Sequence, residues 1–298
     1  MARAPQKVLI AGATGYLGKH LITAFHRAGY RVHALARRPE SLAGLSGQID
    51  AIVTAEATQP ATLRGVMANV DIVISALGIT RQRDGLTYED VDYLANMNLL
   101  NEAERAGVSR FAYVHVKNAE ALAHVAMAAA KSRFAAALQE ADIASTIICP
   151  SGFFSDLAEV LEMARNGRVY LFGDGSAPMS PIDGADLANA TVAAIEAGSS
   201  SVEIGGPETL TQNEIAESAF QAIGQPTQIS HIPASPVRRL LQAAKFFGFG
   251  QSLGALDFFV NVSQLDMSAP AHGSRTLAEF YEGLANAQAA DPARPLAA

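Results

Sequence analysis

Val8-Leu-Ile-Ala-Gly12-Ala-Thr14-Gly15-Tyr16-Leu17-Gly18 decides how this chain is read. The apolar run from Lys7 to Ala11 reads as a short strand and ends at a glycine. From Gly15 to Ala28 the apolar residues recur at helical period, and Gly29 stops them. The glycines at 12, 15 and 18 therefore lie between a strand and a helix. Gly12 permits a tight turn, Gly15 lets the backbone approach a pyrophosphate, and Gly18 lets helix and strand pack closely. The helix start adds unpaired N–H groups and the positive end of its dipole, which suit phosphate. Gly12, Thr14, Gly15, Tyr16, Leu17 and Gly18 are thus expected to bind the phosphates of a dinucleotide. A glycine trio alone serves any tight turn, and the strand–loop–helix context gives this one its weight.

Outward from this loop, strands and helices alternate. Strands are predicted over 31–36, 49–54, 70–76, 110–116 and 144–149, with long helices over 86–106 and 119–141. Short apolar strands separated by helices mean a parallel sheet covered on both faces. The predicted fold is α/β, a Rossmann-type doubly wound parallel sheet with a small C-terminal substrate lobe. The expected division is 1–155 and 181–204 for the nucleotide-binding domain, 156–180 and 205–285 for the lobe, and a disordered Ala/Pro-rich tail over 286–298.

The bulk numbers narrow the class. The chain has 298 residues, a net charge of −7 and no run of Lys and Arg, which argues against a general nucleic-acid surface. Its single cysteine, Cys149, cannot form a disulfide within the chain, and its seven histidines lack zinc-like spacing. No apolar stretch has the length of a membrane span, and the first residues lead directly into a strand. The expectation is a cytoplasmic protein without metal that acts on a small apolar substrate; an oligomer is neither indicated nor excluded.

The second strand ends in Arg37-Arg38-Pro39, where an NAD-binding unit would carry a carboxylate for the ribose 2′-hydroxyl. Two guanidinium groups suit a 2′-phosphate instead, so the expected cofactor is NADP(H). A solvated basic turn is the alternative. Arg81 and Arg83, after the fourth strand, read either as phosphate contacts or as solvent-facing loop residues. The segment from Lys245 to Phe259, with no charge before Asp257, reads as a lid over an apolar substrate, as core, or as a membrane contact.

The spacing G-x-x-G-x-x-G resembles the extended and atypical branches of the short-chain dehydrogenase/reductase superfamily. The stretch Lys131 to Glu140 and the stretch Ile147 to Phe154 resemble the NmrA-like and isoflavone-reductase-like branch. The resemblance implies that Ser75, Ala76, Leu77 and Gly78 pass beneath the cofactor's adenosine and ribose. It implies that Glu56 lies near adenine, and that the Pro150-Ser151-Gly152 turn passes the nicotinamide. Most of the superfamily uses a Tyr-x-x-x-Lys pair as proton donor and ribose ligand. Here Lys131 is present but Met127 holds the tyrosine position, and a thioether transfers no proton. Lys131 is therefore the expected catalytic and cofactor-binding residue. His115 stands where a catalytic serine normally points, and its ordinary pKa near neutrality suits an acid. A strand histidine is equally a satisfied core residue, and the sequence leaves both open. Asp92 falls where many relatives carry an asparagine, and it reads as a solvated helix residue. The implied function is an NADPH-dependent reductase transferring hydride to an apolar, aromatic carbonyl or quinone-type acceptor. The alternative is a non-catalytic NADP(H)-binding sensor or scaffold.

Overall fold

A computed structural model describes residues 5–79, 85–246 and 253–290 of the chain. In β1 (Lys7–Ala11) the residues Val8, Leu9, Ile10 and Ala11 are fully buried. A strand apolar on both faces must be covered on both, which is the condition of a parallel sheet. β1 pairs in parallel with β2 (Arg31–Ala36) on one side and with β4 (Ile72–Ser75) on the other. β3 (Ala51–Thr54) lies outside β2, while β5 (Arg110–Val114) and β6 (Ala144–Pro150) continue beyond β4, all in parallel. β9 (Ser201–Ile204) completes a seven-stranded sheet of order β3-β2-β1-β4-β5-β6-β9. The order reverses between β1 and β4, the switch point at which such sheets hold ligands beyond their carboxyl ends.

The helices of this part are α1 (Tyr16–Arg27), α2 (Asn96–Ala106), α3 (Ala126–Glu140) and the later α5 (Gly184–Glu196). Two depart from expectation, and both departures shape the site. The helix predicted over 86–106 is broken: Glu89–Ala95 form a π-helical turn, and α2 begins only at Asn96. The buried Asn96 side chain donates to the carbonyls of Val91 and Asp92, both at 3.1 Å, in competition with regular helical N–H donors. The helix predicted over 119–141 starts only at Ala126. Ala119, Leu122 and Val125 are all buried, and burying residues at a spacing of three favours the tight turns seen there over the alanines' α-propensity.

The chain divides into two units, one running to Cys149 and resuming over Ala188–Val202, the other covering Pro150–Leu187 and resuming at Glu203. Residues 150–155 and 181–187, assigned to the nucleotide-binding domain from sequence, thus pack with the second unit. The reason is apolar: Phe154 enters the second unit's own core with Leu161, Phe220 and Tyr281, built by α4 (Phe154–Arg165), α6 (Gln212–Ala222) and α9 (Leu277–Ala290). α9 also carries helix through 286–290, which sequence put in a disordered tail; these residues are rich in alanine, the strongest helix former. The second unit adds small pairings that periodicity did not reveal. β7 (Val169–Phe172) runs parallel to β11 (Ile229–Ile232), and β8 (Pro178–Met179) antiparallel to β10 (Leu210–Thr211). Such short strands are below the length at which alternation can be read. α7 (Ala234–Phe246) and α8 (Gly254–Val262) are linked by Lys245 and Asp257, 2.6 Å apart. Arg81 and Arg83, and 247–252 of the aromatic segment, lie outside the described residues.

Candidate functional site

The loop between β1 and α1 has the geometry its glycines predict. Gly12 adopts φ +80°, and a Cβ there would meet the backbone oxygen of Ala76 at 2.8 Å. Gly15 donates its N–H to the Gly12 carbonyl at 3.0 Å, closing the turn. A Cβ on Gly18 would strike the Gly12 carbonyl, so only glycine lets α1 pack this closely. α1 starts with Gly15 as its N-cap and has no side-chain cap, and no acidic residue stands in its first turn. Leading N–H groups and the positive end of the helix dipole make such a start suited to an anion.

A cavity of about 370 Å³ opens over this loop, lined by Gly12, Thr14 and Gly15, by the end of β2 with Arg37 and Arg38, and by Glu56 to Thr58 after β3. Ala76 to Ile79 after β4 continue it, and Leu86, Val91 and Ala95 complete it. Arg37 Nε lies 3.6 Å from a Glu56 carboxylate oxygen, both partly exposed. Tyr16, Leu17 and Gly18 form the first turn of α1, where Leu17 and Gly18 are buried and Tyr16 stacks edge-on to His20. Ser75 differs from its neighbours: it is wholly buried, its hydroxyl donates to Asn96, and it does not line the cavity. It anchors the end of β4 to the π-helical turn.

α3 sets the second feature. Met127, Phe134 and Leu138 are buried along one face, and Lys131 falls on that same face. Phe134 packs edge-on to Tyr113 of β5, their ring centres 4.6 Å apart. One turn earlier, Lys131 Nζ stands 3.1 Å from Asp92 Oδ1, 3.4 Å from the Val114 carbonyl, and 5.3 Å from the centre of the Tyr113 ring. Asp92, read from sequence as solvated, is wholly buried, because the π-helical turn directs it inward. Its Oδ2 accepts the N–H of Ile79 at 3.2 Å. Gly78 passes over this pair: a Cβ there would come within 2.9 Å of both Asp92 Oδ1 and Lys131 Nζ. Gly78 also lines the cavity, so the buried pair lies directly beneath the cavity wall.

The electrostatics follow from burial and this one pairing. Burial pushes the Asp92 carboxyl up, against the pull of the Lys131 charge. Burial opposes the charge on Lys131 as well, but Tyr113 and Asp92 outweigh it and hold its pKa above the ordinary value. Burial pushes the Tyr113 hydroxyl up to about 12. Burial, then repulsion by Lys131, lowers His115 to about 4, and its ring stacks on Tyr113 at 5.9 Å between centres. Near neutrality the ring is then uncharged, which favours the core reading of the two that the sequence left open.

This histidine also predicts a pH dependence of stability. Its folded pKa of about 4 lies below the unfolded value of 6.5, so between them the unfolded chain binds the extra proton. The contribution is complete above pH 6.5 and is lost as pH falls toward 4. It amounts to about 3 kcal/mol. Denaturant unfolding of His115→Gln should lack that part of the acid slope; an identical slope in both proteins would remove the burial argument.

Pro150, Ser151 and Gly152 belong to the second unit. There the Ser151 hydroxyl donates to the Ser180 carbonyl, and a Cβ on Gly152 would meet the Met179 side chain at 2.6 Å. Asp92 and Tyr113 are the members of the buried cluster that sequence reasoning missed. Tyr113 sits in a strand buried on both faces, whereas the π-helical turn that aims Asp92 has no signature in periodicity. Among the described residues no group of His, Cys, Asp and Glu could hold a metal, and no helix is long and apolar enough to cross a membrane.

Comparison with known proteins agrees with this geometry. A family model described as NAD(P)H-binding matches residues 12–197. A divinyl chlorophyllide a 8-vinyl-reductase of Zea mays is 25% identical over 314 residues, covering 92% of this chain and 78% of that protein. The photosystem II assembly factor Ycf39 of Synechocystis is 26% identical over 246 residues, covering 81% of this chain and 75% of that one. Among solved structures, the NADPH-dependent quinone oxidoreductase QOR2 of Escherichia coli, complexed with NADPH, matches with a TM-score of 0.67 and 20% identity over 93% of this chain and 99% of its own, a likeness of fold.

Proposed function

The chain belongs to the NAD(P)H-binding family, and from that premise we propose that it is an NADPH-dependent reductase that transfers hydride to an apolar, conjugated acceptor. The observation that carries this reading is the Lys131 ammonium, buried against Asp92 directly beneath the wall of the nucleotide cavity. Gly12, Thr14, Gly15 and the start of α1 fit a pyrophosphate. Arg37 and Arg38 fit a 2′-phosphate, and Ala76 to Gly78 leave room for a ribose. The nicotinamide group supplies a hydride when bound.

What the protein adds determines the acceptor. Tyr113 is pushed up to about 12, His115 is neutral, and Lys131 is held protonated, so none of the three has a pKa matched to general-acid work near pH 7. Met127 offers none at all. The cluster therefore supplies a fixed positive charge rather than a general acid. A simple ketone would become an alkoxide, which is too basic to form without a proton. A quinone or a vinyl group conjugated to a large ring spreads the new charge and tolerates late protonation from water. The Escherichia coli and Zea mays proteins are named for acceptors of this delocalised kind.

The test is titration with NADPH and NADH, followed by reduced-nicotinamide consumption with a panel of quinones, conjugated vinyl compounds and simple aldehydes. Turnover is expected with conjugated acceptors and not with unactivated aldehydes. Replacing both Arg37 and Arg38 by alanine should weaken NADPH binding by about 10- to 100-fold and leave NADH binding nearly unchanged. Preference of the intact protein for NADH would overturn the 2′-phosphate assignment.

A second reading is a non-catalytic NADP(H)-binding scaffold. Met127 at the tyrosine position favours it, as does similarity to a photosystem assembly factor. Tight NADPH binding with no turnover on any acceptor would select it.

A further inference from the structure

We propose that Asp92 is a positioning residue: from a π-helical turn it binds the Lys131 ammonium and the backbone of residue 79 in one buried linkage, fixing Lys131 as a permanent cation beneath the cavity wall. The proposal deepens the reductase reading and rests on it for its catalytic meaning, but the linkage itself is testable without turnover.

A buried carboxylate is costly to desolvate unless it is paired and hydrogen-bonded. Asp92 is wholly buried: Oδ1 lies 3.1 Å from Lys131 Nζ as an ion pair without a regular hydrogen bond, and Oδ2 accepts the Ile79 N–H at 3.2 Å. The residue that aims it is not free to shift. The π-helical turn is secured from below by Asn96, which donates to the carbonyls of Val91 and Asp92 and accepts from Ser75 at the end of β4. The strand that carries the cavity wall thus also fixes the turn that carries Asp92. Gly78 completes the arrangement, since any side chain there would displace the pair. π-helical insertions recur where a helix must present one side chain out of its regular sequence, often at functional sites.

The groups facing Lys131 are Asp92 from the π-helical turn, Tyr113 from β5 and His115 just beyond it. The neighbouring ion pair between Arg133 and Glu89, 2.7 Å and largely exposed, ties α3 to the same turn from the solvent side, with Arg133 over the Tyr93 ring. Of these, the Asp92 charge is the one that balances the buried ammonium. Removing it while keeping the shape should convert Lys131 into a lysine that titrates in an ordinary or lowered range.

The test compares Asp92→Asn with the unaltered protein, both free of cofactor. Competitive labelling with an amine-reactive anhydride, read residue by residue by mass spectrometry against exposed Lys19, reports the unprotonated fraction of Lys131 at each pH. In the unaltered protein Lys131 should stay protected through about pH 10, and in D92N its labelling midpoint should fall by at least about one pH unit. Simple loosening would raise labelling by the same factor at every pH and leave the midpoint in place, which would overturn the proposal. If D92N does not fold, the unaltered protein still decides: half-labelling of Lys131 below about pH 10 contradicts a fixed cation. In the reductase assay, D92N should acquire an alkaline fall in kcat/KM that the unaltered enzyme lacks, with NADPH affinity nearly unchanged. Absence of all turnover with the labelling shift intact would remove the reductase reading and leave the linkage standing.

Discussion

Replacing Lys131 by methionine is expected to cost both turnover and stability. Removing a preorganised charge from the reacting region should lower kcat by at least about 100-fold. The same change leaves the Asp92 carboxyl buried without its counter-charge, a loss of about 3–5 kcal/mol. The two effects separate in the double variant. With Asp92→Asn added, no charge remains to be compensated, and methionine fills much of the volume of the lysine stem, so most of the stability should return. Turnover should not return, because the cation is still missing. Urea unfolding of the single and double variants, alongside NADPH oxidation with a quinone, measures both. A K131M protein as stable as the original would mean that Asp92 carries no burden of charge in the folded state. Recovery of turnover in the double variant would mean that Lys131 serves only to neutralise Asp92.

Gly12→Ala is the second large effect, and it concerns binding. Gly12 sits at φ +80°, where an alanine costs about 1–2 kcal/mol. The added Cβ would meet the Ala76 carbonyl oxygen at 2.8 Å and its carbon at 2.9 Å. These are backbone atoms at the end of β4, so relief requires the phosphate loop and the cavity wall to part. NADPH affinity should fall by about 100-fold, near 2.7 kcal/mol. Gly29 provides the contrast: it too has positive φ, at +85°, but nothing lies within 4 Å of its missing Cβ. Gly29→Ala should lower stability by about 1 kcal/mol through backbone strain alone and leave NADPH binding intact. Calorimetric titration of both proteins distinguishes the crowded glycine from the merely left-handed one; equal affinities would show that the loop does not hold the cofactor.

The Gly12-to-Gly18 loop, the strands beside it and the Arg37-Arg38 pair were all legible in the sequence because each is a local pattern. A parallel strand must be apolar on both faces, a helix must repeat at its own period, and a turn that approaches another backbone must be glycine. Lys131 was singled out as well, through the resemblance to the Tyr-x-x-x-Lys pair; its place on the inward face of α3 is what the fold adds.

Asp92, His115, Ser75 and the boundary near Cys149 were decided otherwise. Asp92 looks like any helical carboxylate until the π-helical turn, held by Asn96 and Ser75 from positions far apart in the chain, rotates it into the interior. His115 has an ordinary pKa until Lys131 and the surrounding core lower it to about 4. Phe154 looks like a continuation of the first domain until its ring joins Leu161, Phe220 and Tyr281 in the second unit's core. The sequence by itself determined the nucleotide fold and the phosphate loop, because periodicity and glycine placement act over neighbouring residues. Only the tertiary structure decided which charges meet, which are buried and which unit each segment joins, because desolvation and ion pairing depend on distances between residues that the chain order leaves unrelated.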